Sequence, residues 1–566
     1  MNLIELTKGK SPIEMFYHWE KDRPNAVYLR QPIADVWHEY TWRDVSYRVR
    51  RLTQALYDLG YEKGDRIAII SKNCAEWIMT DLALQLGGFV SVPLYFDQTP
   101  DSFRYILDHS ESKALFVGKL DAPVWERLKD AVPEGMPKIG FSFHGDDADF
   151  RRDNGDFEHQ WIDLVEKSQP FTDNPVPDDE DWWTMVYTSG TTGNPKGAVH
   201  CYRAPRHVGS RAIQVFGLGP EDRGLSFLPL AHVAERLLVA TMSVYAAAQV
   251  NFIQSLDTFQ RDLTTVEPTL FFSVPRLWKK FQGGILEKMP QEKLDKMLRI
   301  PLLNKLVARK VRQGLGLNKA RMVISGAAPL SPAIQKWYAK IGIEILEGYG
   351  MTENFAYGCI GRPGQSPSGT VGQPMPDCGF KLSDEGEILF SGPTIMWGYY
   401  KAEDKTKEAM TDDGYYRSGD LGEVDAQGNV RISGRVKEIF KTEKGEYIAP
   451  APIEGKLASF KDYEQICVSG PSLPQPVVVV TLAESAQSKP RAELEKAMEE
   501  HLQTLNSELL NHEKLGGIVV SKDDWLPDSG MVTPTLKVKR NKVEERFTSL
   551  MEQACLSKQK TVVWES

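Results

Sequence analysis

Apolar residues along this chain fall into short runs divided by stretches with helical spacing. After Gly64-Asp65-Arg66 comes Ile67-Ala68-Ile69-Ile70, a run of strand length. Asn73 to Leu86 spaces its apolar residues at helical intervals, and Phe89-Val90-Ser91-Val92-Pro93-Leu94 follows at once. Strand, helix and strand in such quick succession predict a parallel α/β unit. The alternation recurs at Leu225–Leu228, Thr269–Val274 and Arg321–Ser325. From Val371 to Gly434 the texture changes: Gly, Pro and Asp are frequent, and short alternating runs such as Gly386–Ser391 and Gly428–Ile432 predict an antiparallel subdomain. Beyond it, Val477–Leu482 predicts a buried strand and Arg491–Leu510 a helix, enough for a separate α+β core. No repeat of solenoid period is present.

A chain of 566 residues exceeds one ordinary core, so two or more domains are expected. With 41% hydrophobic and 26% charged residues, the composition is that of a soluble globular protein. A net charge of -9 argues against a nucleic-acid binder, although the run Lys537 to Lys542 is locally basic. The six cysteines are scattered with no Cys-x-x-Cys pair, which predicts reduced, mostly buried thiols in a cytoplasmic protein. Met1 to Lys8 carries no apolar signal core. Leu237 to Ile253 is the most lipid-like segment, but Thr241, Ser243, Gln249 and Asn251 interrupt it, so a buried helix leading into a strand is expected rather than a membrane span. Asp146–Asp156 and Asp173–Asp181 read as acidic surface loops.

The most informative motif is Thr188-Ser189-Gly190-Thr191-Thr192-Gly193-Asn194-Pro195-Lys196-Gly197, directly after the apolar-leaning run Trp182 to Tyr187. Glycines let the backbone turn tightly and present N–H groups, hydroxyls add donors, and Lys196 adds mobile positive charge. That combination suits a polyphosphate. It is not a Walker A loop, because Lys196 is preceded by Pro195 and followed by Gly197 rather than by Ser or Thr.

Three further elements follow in order: Gly348-Tyr349-Gly350-Met351-Thr352-Glu353, Tyr416-Arg417-Ser418-Gly419-Asp420 and Gly434-Arg435-Val436-Lys437-Glu438-Ile439. Together with the loop, they resemble the adenylate-forming superfamily of acyl-CoA synthetases, luciferases and peptide-synthetase adenylation domains. Leu228–Arg236, Val274-Pro275-Arg276 and Gly445–Pro450 are most similar to the long-chain fatty acyl-CoA synthetases. The resemblance runs from Tyr40-Thr41-Trp42 to Lys537–Arg540. It implies a large N-terminal adenylation domain, residues 1–436, built of parallel α/β subdomains and a β-rich subdomain. A small mobile α+β domain, residues 437–566, follows a hinge at Lys437.

Activating a carboxylate with ATP sets an anion against an α-phosphorus already crowded with negative charge. Cations, N–H donors and Mg²⁺ must be aimed at the phosphates, with tight alignment of the nucleophile. The loop Thr188–Gly193 with Lys196 supplies such donors. The resemblance implies that Thr191 sits on phosphate and metal, that Thr352 meets the α-phosphate, and that Glu353 holds Mg²⁺. It places Asp420 on the ribose hydroxyls, Arg435 on ribose or phosphate, and adenine between Gly326-Ala327-Ala328 and Tyr349. Lys537 is the implied adenylation lysine, in Thr535-Leu536-Lys537-Val538-Lys539-Arg540, where the family's usual Ser-Gly is missing and Lys539 is a rival. Lys441 is implied for thioester formation with CoA, and His232 for a gate beside the substrate carboxylate.

The expected reaction joins a fatty acid to CoA through acyl-AMP, with ATP, Mg²⁺ and CoA as cofactor and co-substrates. An adenylating enzyme that loads a carrier protein, a luciferase-like oxygenase and a non-catalytic nucleotide-binding homologue are the alternatives. A peripheral membrane contact is compatible with an acyl product, and either a monomer or a homodimer is expected. Acyl chain length stays open, because the residues that plug an acyl tunnel are set by the fold.

Overall fold

The computed structural model describes residues 2–141, 157–188, 194–526, 529–533, 537–557 and 561–565. All of the acidic stretch Asp146–Asp156, and Ser189 to Gly193 of the hydroxyl-rich loop, Thr191 included, lie outside the described residues.

Among the described residues, two large sheets carry the first part of the chain. One has eight strands, ordered 398–399, 196–201, 182–188, 90–94, 66–70, 114–117, 138–140 and 159–160. The other has nine, ordered 373–374, 359–360, 345–349, 322–325, 270–273, 223–226, 249–252, 27–33 and 36–41. Both are parallel at their centres; the first takes antiparallel strands at one end and the second at both. Successive side chains of a strand point to opposite faces, and here that alternation feeds two cores at once. Ile67 and Ile69 enter a core that also takes Met322, Ile324 and Leu346 from the second sheet, so the sheets share one layer of helices. Ala68 and Ile70 turn to the outer face of the first sheet, and Phe271, Val323 and Ile345 to the outer face of the second. Strands buried on both faces read as continuous apolar runs, which is why they stood out in the sequence.

The β-rich segment forms a four-stranded antiparallel sheet of Gly379–Leu382, Glu387–Ser391, Tyr416–Val424 and Val430–Arg435. One piece departs from the expected subdomain: Gly398–Tyr399 leaves it and pairs with Ala198 and Val199 at the edge of the eight-stranded sheet. That crossing brings Tyr399 beside Lys196.

After Lys437, the strands Tyr463–Ser469, Val477–Leu482, Ile518–Val520 and Val562–Trp564 make a further sheet. Val478 and Val480 pack with Leu494, Met498 and Leu502 of the helix Arg491–Glu508. Val477 and Val479 pack with Val543, Phe547 and Met551 of the helix Arg540–Leu556. Every buried member of these two cores comes from residues 440–563.

The stretch after His232 is a buried helix leading into the strand Gln249–Phe252, as expected, but Arg236–Thr241 is wound as a π-helix. With the wider turn, Arg236 is fully buried and meets Asp81 at 3.1 Å, its guanidinium lying over Trp77 and Trp183. π-Helical turns are frequent at functional sites, and Leu238 and Val239 here line a cavity. No helix among the described residues is long and apolar enough to cross a membrane.

Candidate active site

The strands Tyr416–Val424 and Val430–Arg435 pair so that Asp420 lies opposite Arg435. Gly419 takes a left-handed φ of 72° and Ser418 Oγ accepts from the Asp420 N–H at 3.0 Å, which fixes the Ser-Gly-Asp turn. Asp420 is 6% exposed. Tyr349 Oη donates to Asp420 Oδ2 at 2.6 Å, and Arg435 Nε lies 3.1 Å from Oδ1. Burial holds the Asp420 carboxyl above its ordinary value, with Arg435 and Tyr349 pulling the other way. A carboxylate offers about four lone-pair sites, so two acceptor positions are left for a ligand.

Tyr349 ends the strand Ile345–Tyr349, and the adjacent parallel strand Met322–Ser325 runs into Gly326-Ala327-Ala328. Ligands of open α/β sheets bind outside the carboxyl ends of such strands. Ala327 has a φ of 66°, and Ala327 and Ala328 are exposed. A Cβ on Gly326 would lie 3.0 Å from the Gly348 carbonyl oxygen, so only glycine fits without displacing the neighbouring strand.

Thr352 and Glu353 occupy a short 3₁₀ turn, Thr352–Asn354. Buried His200 donates from Nε2 to the Thr352 carbonyl at 2.7 Å, and burial pushes the imidazole down to about 4, so it is neutral in this role. Tyr399 Oη donates to Glu353 Oε1 at 2.7 Å, and the Lys196 ammonium sits 4.0 Å from the Tyr399 ring centroid. Burial lowers the Lys196 amine while the Glu353 charge raises it. Thr188 and Lys196 are register partners, so the two ends of the hydroxyl-rich loop are clipped together. Among the described residues no three His, Cys, Asp or Glu side chains cluster as a metal cage. A lone Glu353 fits Mg²⁺, which is held by one or two carboxylates together with substrate phosphates.

Lys537 enters the same space from the far end of the chain. Its ammonium lies within the fields of Arg435, Asp420, Glu353 and Glu438. Burial and then Arg435 lower its amine, and Asp420 and Glu353 oppose them. His232 precedes the short helix Val233–Glu235, its Nδ1 accepting from the Ala234 N–H at 3.1 Å. Burial and the nearby Lys537 charge push it down to about 4. Lys539 precedes the helix Arg540–Leu556, and its N–H donates to the Met531 carbonyl.

Lys441 is not part of this group. It sits in the hairpin Phe440–Lys441 and Tyr447–Ile448 with its ammonium 5.3 Å from the Tyr447 ring centroid. Lys437 lies in the turn Val436–Glu438, within the field of Lys196 and Glu408. Arg540 binds both Glu438 (3.2 Å) and Glu454 (2.7 Å), tying that turn to the body beyond it.

Two features went unread in the sequence. Tyr399 had no motif around it; its role arises from a contact across 46 residues. Glu235 sits inside the Leu228–Arg236 motif, where nothing in the sequence sets it apart. It is buried, accepts from Ser226 Oγ (2.8 Å) and Asn73 Nδ2 (3.3 Å), and is pushed up to about 8 by burial, so it is uncharged near neutral pH. Glu235 edges an apolar cavity lined by Leu225, Leu238, Val239, Met242 and Phe272. Its volume is about 30 Å³, room for little more than one water.

The comparisons with known proteins bear on this geometry. A model of the AMP-binding enzyme family matches residues 16–400, and one of the AMP-binding enzyme C-terminal domain matches residues 438–558. The chain belongs to the AMP-binding enzyme family. It is 30% identical to the long-chain-fatty-acid–CoA ligase FadD15 of Mycobacterium bovis, over 95% of this chain and 96% of that protein. It is 32% identical to the long-chain-fatty-acid–CoA ligase 6 of Rattus norvegicus, over 86% and 78%. The crystal structure of the adenylation domain of a carboxylate reductase from Mycobacterium chelonae has the same fold, with a TM-score of 0.81 at 20% identity over 98% and 93% of the two chains.

Proposed function

We propose that this AMP-binding enzyme is a fatty acid–CoA ligase. It forms acyl-AMP and pyrophosphate from a long-chain fatty acid and ATP, and then passes the acyl group to CoA. The observation that supports the reading is that Lys537, from beyond Lys437, lies within the fields of Asp420, Arg435 and Glu353. Similarity to long-chain-fatty-acid–CoA ligases over nearly the whole chain supports the substrate class.

In this reading Asp420 uses its two remaining acceptor sites for the ribose hydroxyls, and Tyr349 with Gly326-Ala327-Ala328 holds adenine. Thr188–Gly193 and Lys196 take the outer phosphates. Lys537 bridges the attacking carboxylate and the α-phosphate, where a positive charge offsets the approach of two anions. His232 stands at the carboxylate end. The apolar cavity beside Glu235 opens to take the acyl chain by movement of Leu238 and Val239 on the π-helical turn. Glu353 would hold Mg²⁺, which when bound would supply charge neutralisation at the phosphates.

Residues 437–566 move as one body about Lys437, and after adenylation Lys441 replaces Lys537 at the cleft. Such alternation lets pyrophosphate leave before the thiol arrives. Peripheral association with a membrane belongs to the same reading, since long acyl chains and their CoA esters partition there. The test is acyl-CoA formation with a panel of fatty acids graded by chain length, read alongside pyrophosphate release. Pyrophosphate release without thioester formation would point to another acceptor, and no pyrophosphate with any fatty acid would reject the ligase.

A further inference from the structure

The helices Gln291–Arg299 and Leu303–Leu315 pack on the outer face of the nine-stranded sheet through Leu294, Val307, Ala308 and Leu315. The side turned away from that core is unusual for a soluble surface. Ile300, Leu302 and Leu306 are exposed by 51%, 76% and 60%, gathered at and just after the connection between the helices. Leu302 holds a φ of 70°, a conformation in which a bulky side chain is an outlier and Gly or Asn is the ordinary choice. A large apolar residue is thus kept in a strained backbone position with its side chain in water.

From the end of the first helix onward the charged residues are of one sign. From Lys296 to Ile343 the sequence has ten Lys and Arg and no Asp or Glu, in a chain whose net charge is -9. Arg312, Arg321 and Lys340 are engaged with Ile341, Asp222 and Asp295. Lys296, Arg299, Lys305, Arg309 and Lys310 are exposed and take part in no ion pair among the described residues. The nearest acids in sequence are Glu292, exposed, and Asp295, held by Lys340.

We propose that this hairpin is the face by which the protein sits on an anionic membrane. Ile300, Leu302 and Leu306 enter the headgroup boundary, and the five free cations meet lipid phosphates and carboxylates. The proposal rests on the peripheral association put forward above and names the surface responsible. The logic is that of interfacial segments generally: apolar side chains supply insertion, and a basic collar supplies attraction to the negative leaflet. A second copy of the chain is disfavoured as occupant, because it would set five uncompensated cations against five more.

The experiment is co-sedimentation of the full chain with vesicles of phosphatidylcholine alone, and of phosphatidylcholine mixed with phosphatidylserine. Three proteins are compared: wild type, Ile300→Ser/Leu302→Ser, and Lys305→Glu/Arg309→Glu/Lys310→Glu. Wild type should bind the mixed vesicles at least about tenfold better than the neutral ones, with the preference fading in high salt. Each removed cation should weaken binding about fivefold, so the triple variant should lose more than a hundredfold. The serine variant should lose binding to the mixed vesicles although its charge is unchanged. Thermal melting and ligation of a short, soluble fatty acid should match wild type in both variants, which separates a misplaced surface from a failed ligase reading. Wild type that ignores both vesicles overturns membrane association and this face together. Variants that bind as wild type does overturn the face alone. Self-association that the serine variant abolishes, without vesicle binding, makes a second copy the occupant and overturns the proposal.

Discussion

Arg276 Nε, on the helix Pro275–Lys288, lies 2.7 Å from Glu464 Oε1, on the strand Tyr463–Ser469. One helical turn further on, Lys279 Nζ donates to the Tyr463 carbonyl. These contacts join the large sheets to the sheet beyond Lys437 in the arrangement that directs Lys537 toward Asp420. Arg276 is 65% exposed, so the ion pair alone contributes about 0.2–1 kcal/mol. Arg276→Ala should therefore slow acyl-AMP formation by up to about fivefold, while thioester formation from supplied acyl-AMP holds or quickens. Single-turnover measurement of each half-reaction checks this, and equal slowing of both would remove the contact from the alternation.

Asp420→Ala should weaken ATP binding by about 2–3 kcal/mol, because a charge-assisted acceptor pair is lost from a buried site. It also leaves Tyr349 Oη and Arg435 without their partner, so Tyr349→Phe is the milder companion and should cost about 1 kcal/mol. Calorimetric titration with ATP reports both. Unchanged affinity in Asp420→Ala would count against ribose binding.

Lys537→Ala should abolish most acyl-AMP formation and spare CoA transfer from supplied acyl-AMP; Lys441→Ala should do the reverse. The lowered Lys537 amine adds a pH signature. The charged form is the useful one, so kcat/KM for ATP in adenylation should fall on the alkaline side below the ordinary lysine range. Lys537→Arg, which stays charged, should flatten that limb even if its maximum is lower. An alkaline limb that Lys537→Arg leaves in place would assign it to another group.

Tyr399→Phe should raise the Mg²⁺ concentration needed for half-maximal adenylation several-fold, since Glu353 loses the hydroxyl that orients it. Glu353→Gln should do so more strongly and lower turnover. The two variants combined should be no worse than Glu353→Gln alone, and an additive loss would mean that Tyr399 acts elsewhere.

Glu235 makes stability depend on pH in a defined direction. Its folded value, about 8, lies above that of an unfolded glutamate, about 4.3. The folded chain therefore binds the extra proton, and the contribution is complete below the unfolded value and lost as pH rises through about 8. Glu235→Gln, neutral at every pH, should gain on wild type as pH climbs across that window. Parallel melting curves from acid to mildly alkaline pH would show instead that the carboxyl ionises without penalty.

Much of this fold was legible because its central strands are buried on both faces and read as unbroken apolar runs, as at Ile67–Ile70 and Val477–Val480. Asp420, Glu353 and Lys196 stand in Gly-, Ser- and Thr-rich turn motifs that are visible in the sequence, and the family resemblance carried by those motifs implies their roles. Tyr399, Glu464 and the π-helical turn were not. Each depends on a distant partner: Tyr399 on a strand that changes sheets, Glu464 on how two bodies meet, and Arg236 on Asp81 across the shared core. Periodicity describes which face a residue shows, and says nothing of what waits there.

The strand Val477–Leu482 is roofed on both sides by helices of its own neighbourhood. A body finished in this way has no debt of burial to settle with the rest of the molecule, so turning it exchanges one set of surface contacts for another and leaves every core intact. The balance between the two half-reactions can then drift through substitutions at the seam, such as Arg276 or Glu464, with no threat to folding. Relatives with different tempos of activation and transfer would differ there first, in residues that neither substrate touches.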